Sequence, residues 1–272
     1  MKALFVDKNS IVREIWGKAD TCLFIFAGAA AEFALNKAVD WLYFTGRLPA
    51  DPLGRLFSTV IYARRIIFSD EETALQAIDQ ITAIHKSVEK NRGASIPDWA
   101  YRDVLFLLIG YSISSFELLD RNLKEAEKEE IFNVFYRVGM RMQLPDLPTT
   151  YNEWLVMREG HLKQNLVSSE FTIDLYRQYK KHLGLLRYII LKQVQLQLVP
   201  QAIKKMLPIV SVSWSKPLLW LYKILRKLKL EGPVKNALLP AKYKVQLLGI
   251  EDVEMAGHTK RNERSLTESL EY

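Results

Sequence analysis

Ser69-Asp-Glu-Glu72-Thr-Ala74-Leu-Gln-Ala-Ile78-Asp-Gln-Ile81-Thr-Ala-Ile84-His85-Lys-Ser-Val88 starts like a helix and keeps helical spacing to its end. Ser69 and Glu72 have the spacing of a capping box, in which hydroxyl and carboxylate each satisfy an orphan backbone donor. Ala74, Ile78, Ile81, His85 and Val88 then recur every three or four residues, which places an imidazole on the apolar stripe. An imidazole there is either a hydrogen-bonded core residue or a ligand for something apolar and metal-containing, and spacing alone leaves both readings open.

The flanking segments repeat the helical pattern. Pro52–Phe68 reads as a helix with Arg55 and Thr59 one turn apart, entered through the two-proline connector Gly46–Pro52. Beyond the glycine-containing break Asn91–Ser95, Ser95-Ile-Pro-Asp98 starts a third helix, and Val104–Ile113 is apolar enough to be central. Upstream, Ser10–Gly17 is a short amphipathic helix, and Asp20 is placed to cap an apolar helix running to about Phe44. Its small residues Ala27–Ala31 would let another helix or a flat ligand approach closely. Downstream come Lys124–Met142, ended by Leu144-Pro-Asp-Leu-Pro148, then a helix opened by a second capping box, Thr150-Tyr-Asn-Glu153, and carrying Arg158 and His161. Ser168–Leu183 and Leu185–Met206 follow, with Gly184 the boundary and Pro200 a break. Period-two strands are missing, so the expected fold is all-α, eight to ten helices in one domain over residues 1–250.

With 272 residues and 49% hydrophobic content the chain can bury a sizeable core, and 25% charged residues is an ordinary globular value. A single cysteine, Cys22, excludes an internal disulfide and any Cys-based zinc site. The first residues lack a signal-peptide pattern, and Cys22–Ala31 is interrupted by Glu32 and Lys37 before the ~20 apolar residues a membrane span needs. A cytoplasmic location, with peripheral contact to a membrane, is the expectation.

The formal charge of +7 is concentrated: Gln201–Ile250 holds ten Lys/Arg against one acid, Glu231. Within it, Pro217–Leu230 aligns Leu218, Leu221, Leu225 and Leu228 on one face, with Lys223, Arg226, Lys227 and Lys229 mostly elsewhere. This is the pattern of an interfacial helix on an anionic membrane surface, or equally of a surface helix whose leucines pack on the core. No nucleic-acid partner is expected, since the cations are interleaved with leucines and no recognition motif accompanies them. Residues 251–272 turn polar and read as a disordered tail.

The order of segments resembles the oxygenase family that includes the latex-clearing rubber oxygenase and the fungal oxygenase that cuts a farnesyl chain in mycophenolic acid synthesis. The residues that carry the resemblance are Asp51-Pro-Leu-Gly-Arg55-Leu-Phe-Ser-Thr59, Ile66-Ile-Phe-Ser-Asp-Glu-Glu, Ile84-His85-Lys-Ser-Val88, Trp99-Ala-Tyr-Arg-Asp103, Leu144–Pro148 and Leu239-Pro-Ala-Lys-Tyr. The resemblance spans roughly Ser10 to Ile250 and rests on order and spacing, not on one diagnostic motif. It implies a globin-like helical domain that binds haem b, with His85 as the iron ligand and Arg55 and Thr59 near the distal side. Arg55 would stabilise negative charge developing on dioxygen or pair with a haem propionate, and Thr59 would donate a hydrogen bond. The implied activity is oxygenation of a small apolar, unsaturated or isoprenoid substrate; a haem- or lipid-binding protein without turnover is the alternative. Two departures stand out. Ser58 occupies the place of the rubber oxygenase's distal lysine, and Ile109-Gly-Tyr111 stands where many members carry Trp-Val-His, which makes Tyr111 a further candidate in the pocket.

Overall fold

The computed structural model describes residues 2–46, 50–209, 215–228, 230 and 232. Eleven helices are found among them: α1 (Ile11–Gly17), α2 (Ala19–Phe33), α3 (Val39–Phe44), α4 (Pro52–Phe68), α5 (Glu71–Arg92), α6 (Asp98–Leu119), α7 (Glu125–Arg141), α8 (Tyr151–Gln164), α9 (Glu170–Leu198), α10 (Gln201–Met206) and α11 (Ser215–Lys227). Strands are absent among the described residues, where two isolated bridges, Leu4 to Asp70 and Asn36 to Leu166, tie loops to helix ends. The all-α expectation holds. The polar tail 251–272 and the motif at Leu239 lie outside the described residues.

The centre is the packing of α2 on α6, with α7, α8 and α9 laid around that pair and α4 and α5 side by side at one flank. Almost every residue of α2 is buried, as is Leu105–Ile113 of α6 apart from its Leu108 and Gly110. The small-residue stretch of α2 admits a helix: a Cβ on Gly28 would collide with the ring of Tyr111. One apolar surface buried on both sides at roughly 25 cal/mol per Å² supplies most of the driving force for such a core.

Local chemistry sets the helix ends, with four corrections to the sequence reading. Asp70, not Ser69, caps α5, its Oδ1 accepting from the Thr73 amide at 3.1 Å, while Ser69 is the extended residue that closes α4. Asp20 does not cap α2. It sits inside the first turn with its carboxylate buried and engaged from α11, and Lys18 precedes the helix. Nor does α2 run to Phe44. Asn36 accepts from the Ala38 amide at 2.8 Å, a local side-chain bond that competes with the helix and turns the chain before α3. At Thr150 half of the expected capping box forms: Thr150 accepts from the Glu153 amide, but Glu153 reaches back to Thr149. Gly184 is the kink in α9, at φ 74°, and Pro200 separates α9 from α10 as expected.

Candidate functional site

His85 projects from α5 toward the junction with α4 and the start of α6. The stripe that carries it is not uniformly buried: Ala74, Ala77 and Ile78 are sealed in the core, Ile81 is half-buried, and Ile84 is 43% exposed. His85 therefore stands where core packing thins. Among the described residues neither ring nitrogen has a hydrogen-bond partner, and Nδ1 is closed off from solvent. Burial, reinforced by the Arg55 guanidinium across the helix pair, lowers the imidazole to about 4, so the ring is neutral near pH 7 and its nitrogen lone pair is free to ligate. A buried donor or acceptor left unmade costs a desolvation penalty, which is why such groups are rare where they serve structure alone.

Arg55 lies on the facing side of α4, and its orientation is set within its own helix. Nη1 donates to Ser58 Oγ and to Thr59 Oγ1, both at 3.2 Å. Ser58 and Thr59 in turn donate to the Arg55 carbonyl at 2.7 and 3.3 Å, respectively. Spacings of three and four residues put all three groups on one helix face. Ser58 thus helps to aim the arginine. Tyr101 completes the surroundings from α6, its ring 5.1 Å from the His85 ring at an interplanar angle of 76°. His182 Nε2 on α9 is also buried without a partner. What sets His85 apart is this company: a guanidinium, two hydroxyls and an aromatic ring from two other helices.

Tyr111 is not part of that group. It lies ten residues beyond Tyr101 on α6, about 15 Å along the axis at 1.5 Å per residue. Its hydroxyl donates to Glu32 Oε2 at 2.8 Å, and Glu32 is clasped by both guanidinium nitrogens of Arg158 from α8. Burial, with the Glu32 carboxylate beside it, raises the Tyr111 phenol far above its ordinary value, so it is a fixed donor inside the core. One turn along α8, His161 Nδ1 faces Asp103 of α6, whose Oδ2 accepts from Asn36 at 2.8 Å. The Phe106 ring stands edge-on to His161 at 5.1 Å. Sequence reasoning did not find this seam of paired groups between α2, α6 and α8. Its signal was present: an acid inside an apolar helix, Glu32, needs a cation, and Arg158 and His161 share one helix face. Cys22 is another buried group that takes no part: burial pushes its thiol to about 12.

The basic helix α11 is pinned to the body by polar contacts. Tyr222 donates to Asp20 Oδ2 at 2.9 Å, and Arg226 bridges Asp20 at 2.6 Å and Asp120 at 2.7 Å. With Tyr222 and Arg226 turned inward, the leucine face is not the core-facing one. Leu218 is 43%, Leu221 49% and Trp220 66% exposed. Among the described residues no helix is long and apolar enough to cross a membrane.

Comparison with known proteins gives one match. The family model described as ER-bound oxygenase mpaB/B'/rubber oxygenase, catalytic domain, covers residues 16–227, which include both polar clusters and nearly all of the helical body. No curated protein and no solved structure matches.

Proposed function

The chain belongs to the mpaB/B'/rubber oxygenase catalytic-domain family, and from its own residues we propose that it is a haem b-dependent oxygenase of an apolar, unsaturated chain, with His85 as the iron ligand. The observation that carries the reading is the His85 imidazole itself: neutral, half-buried, facing a guanidinium, and with its buried Nδ1 lacking a hydrogen-bond partner among the described residues. A neutral imidazole is the form that ligates a metal. Haem b, when bound, supplies an iron centre for dioxygen chemistry. The protein's contribution is position and electrostatics. Arg55 places a positive charge beside the imidazole, suited to a propionate or to negative charge developing on oxygen; because Ser58 and Thr59 help to hold it in place, little reorganisation is needed when that charge appears. Thr59 offers a hydroxyl on the same face.

Reconstitution with haemin tests the assignment. His85→Ala should lose the Soret band, Tyr111→Phe should keep it, and oxygen consumption with an unsaturated lipid should require Arg55. A His85→Ala protein with an unaltered Soret band would refute the ligand assignment.

The exposed leucines of α11 favour delivery of a lipophilic substrate from a bilayer. Leu218, Leu221 and Trp220 face outward while Lys227 is exposed beside them, which suits an anionic surface. Lys223→Glu together with Lys227→Glu should abolish sedimentation with anionic liposomes; unchanged sedimentation would remove the membrane from the proposal.

A further inference from the structure

Ligating histidines almost always donate their second ring N–H to a carboxylate, carbonyl or water, and that bond fixes the ring plane and raises the basicity of the ligating nitrogen. His85 departs from the rule. Nδ1 is sealed and has no acceptor among the described residues, which leaves Nε2 as the nitrogen that can meet a ligand. Something other than a hydrogen bond must then hold the imidazole against rotation about its ring torsion.

We propose that Tyr101 is the positioning residue for His85, its ring edge fixing the imidazole plane in place of the missing hydrogen bond, with Glu89 as the tether that holds Tyr101. The inference rests on the assignment of His85 as ligand and adds a residue from a different helix to it. The two rings meet at 76° with centroids 5.1 Å apart, the edge-to-face arrangement that aromatic rings prefer. Such a contact restricts rotation without supplying an acceptor. The ligand it produces is a neutral imidazole with no added donor strength.

Tyr101 is itself fixed. Its hydroxyl donates to Glu89 Oε1 at 3.3 Å, and the same oxygen accepts from the Ile96 amide at 2.7 Å. Glu89 lies one turn beyond His85 on the same face of α5. Its carbonyl also accepts from Gly93 at 2.9 Å and Ala94 at 3.2 Å. Gly93 takes the left-handed conformation, φ 70°, that reverses the chain there. The turn from α5 into α6 is thus built on Glu89, and Tyr101 is the side chain that carries that rigidity back to His85. Arg55, facing from α4, is the charged group on the other side of the imidazole.

Ring dynamics of selectively labelled His85 in the haem-free protein test the inference separately from haem binding. In the wild type the imidazole order parameter should stay near a rigid value of ~0.85; in Tyr101→Phe, which keeps the ring but loses the hydroxyl that Glu89 holds, it should fall part of the way, and in Tyr101→Leu it should fall below ~0.6. The haemin-loaded proteins should follow the same ranking in EPR: Tyr101→Phe broader than wild type and Tyr101→Leu broader still. A folded Tyr101→Leu protein with wild-type ring order overturns the proposal. Should Tyr101→Leu fail to fold, Glu89→Ala decides: unchanged ring order there overturns the tether and with it the positioning role. Failure of the wild type to bind haemin would defeat the proposed function while leaving the ring-order result intact.

Discussion

Two sets of polar side chains interrupt this helical core, and they are built on opposite plans. Between α2, α6 and α8, Glu32, Arg158 and Tyr111 form one closed group and Asn36, Asp103 and His161 another, each member meeting a partner of matching chemistry. Between α4, α5 and α6, Arg55 has its hydroxyls but the buried Nδ1 of the imidazole opposite it has no hydrogen-bond partner among the described residues. The first plan spends most of its hydrogen bonds inside the molecule, Asp103 Oδ1 being the atom of these two groups left without one among the described residues. The second leaves one nitrogen uncommitted where packing thins. Histidine occurs in both, so the residue type does not separate structure from function; the partners do.

The sharpest way to break the comparison is to open the closed set. Arg158→Ala strands the Glu32 carboxylate in the core and should cost about 3–5 kcal/mol in urea denaturation. Replacing the whole group together, as Glu32→Leu, Arg158→Met and Tyr111→Phe, should recover most of that loss, since no buried charge or donor is left unpaired. A mild effect of Arg158→Ala would mean that the seam is less sealed than its burial indicates. Asp103→Ala should come next, at about 1–3 kcal/mol, because Asn36 and Asn165 lose a shared acceptor.

The sequence disclosed these two sets unequally, for a physical reason. Helical periodicity and caps are local, so α1, α4, α6, α7 and the kink at Gly184 were legible from spacing, and His85 with its Arg55–Thr59 neighbours could be singled out from the resemblance and the stripe. Pairings across the core are not local. Glu32 and Arg158 are 126 residues apart, and only the packing of α2 against α6 and α8 brings them together with Tyr111. For the same reason Tyr111 read as a pocket residue when it is a core donor, and Asp20 as a cap when it anchors α11. Asn36 ended α2 through a side-chain bond that hydropathy does not register.

Acid sharpens the contrast by a smaller amount. His85 is lowered to about 4 in the folded protein by burial and Arg55, whereas in the unfolded chain it takes its proton near 6.5. Between those values the unfolded state binds the proton and the folded state does not. Its stability contribution is therefore intact above pH 6.5 and is lost as pH falls toward 4. Discounted for the ring's partial contact with solvent, the loss should be of order 1–2 kcal/mol. It should disappear in His85→Leu, so the stability difference between the two proteins grows on acidification while any contribution from His161 cancels. Arg55→Met, which removes the repelling charge, should shift the window upward and narrow the gap. Parallel pH profiles for wild type and His85→Leu would contradict the neutral, unpartnered ring.

At neutral pH the same substitution should have the smallest effect of all on stability. An apolar side chain of similar size at position 85 removes an unmade hydrogen bond and breaks no made one, so His85→Leu should lie within about 1 kcal/mol of wild type, on the stabilising side. Asp103→Ala, which removes the carboxylate facing His161 and strands the amides of Asn36 and Asn165, should destabilise by clearly more. The two histidines would then differ in sign as well as in size. A residue whose loss leaves the fold intact or firmer, yet removes the Soret band, is retained for what it binds. If His85→Leu instead costs as much as breaking the Asp103 cluster, the imidazole is holding the helices together, and the division between the two regions fails at its most informative position.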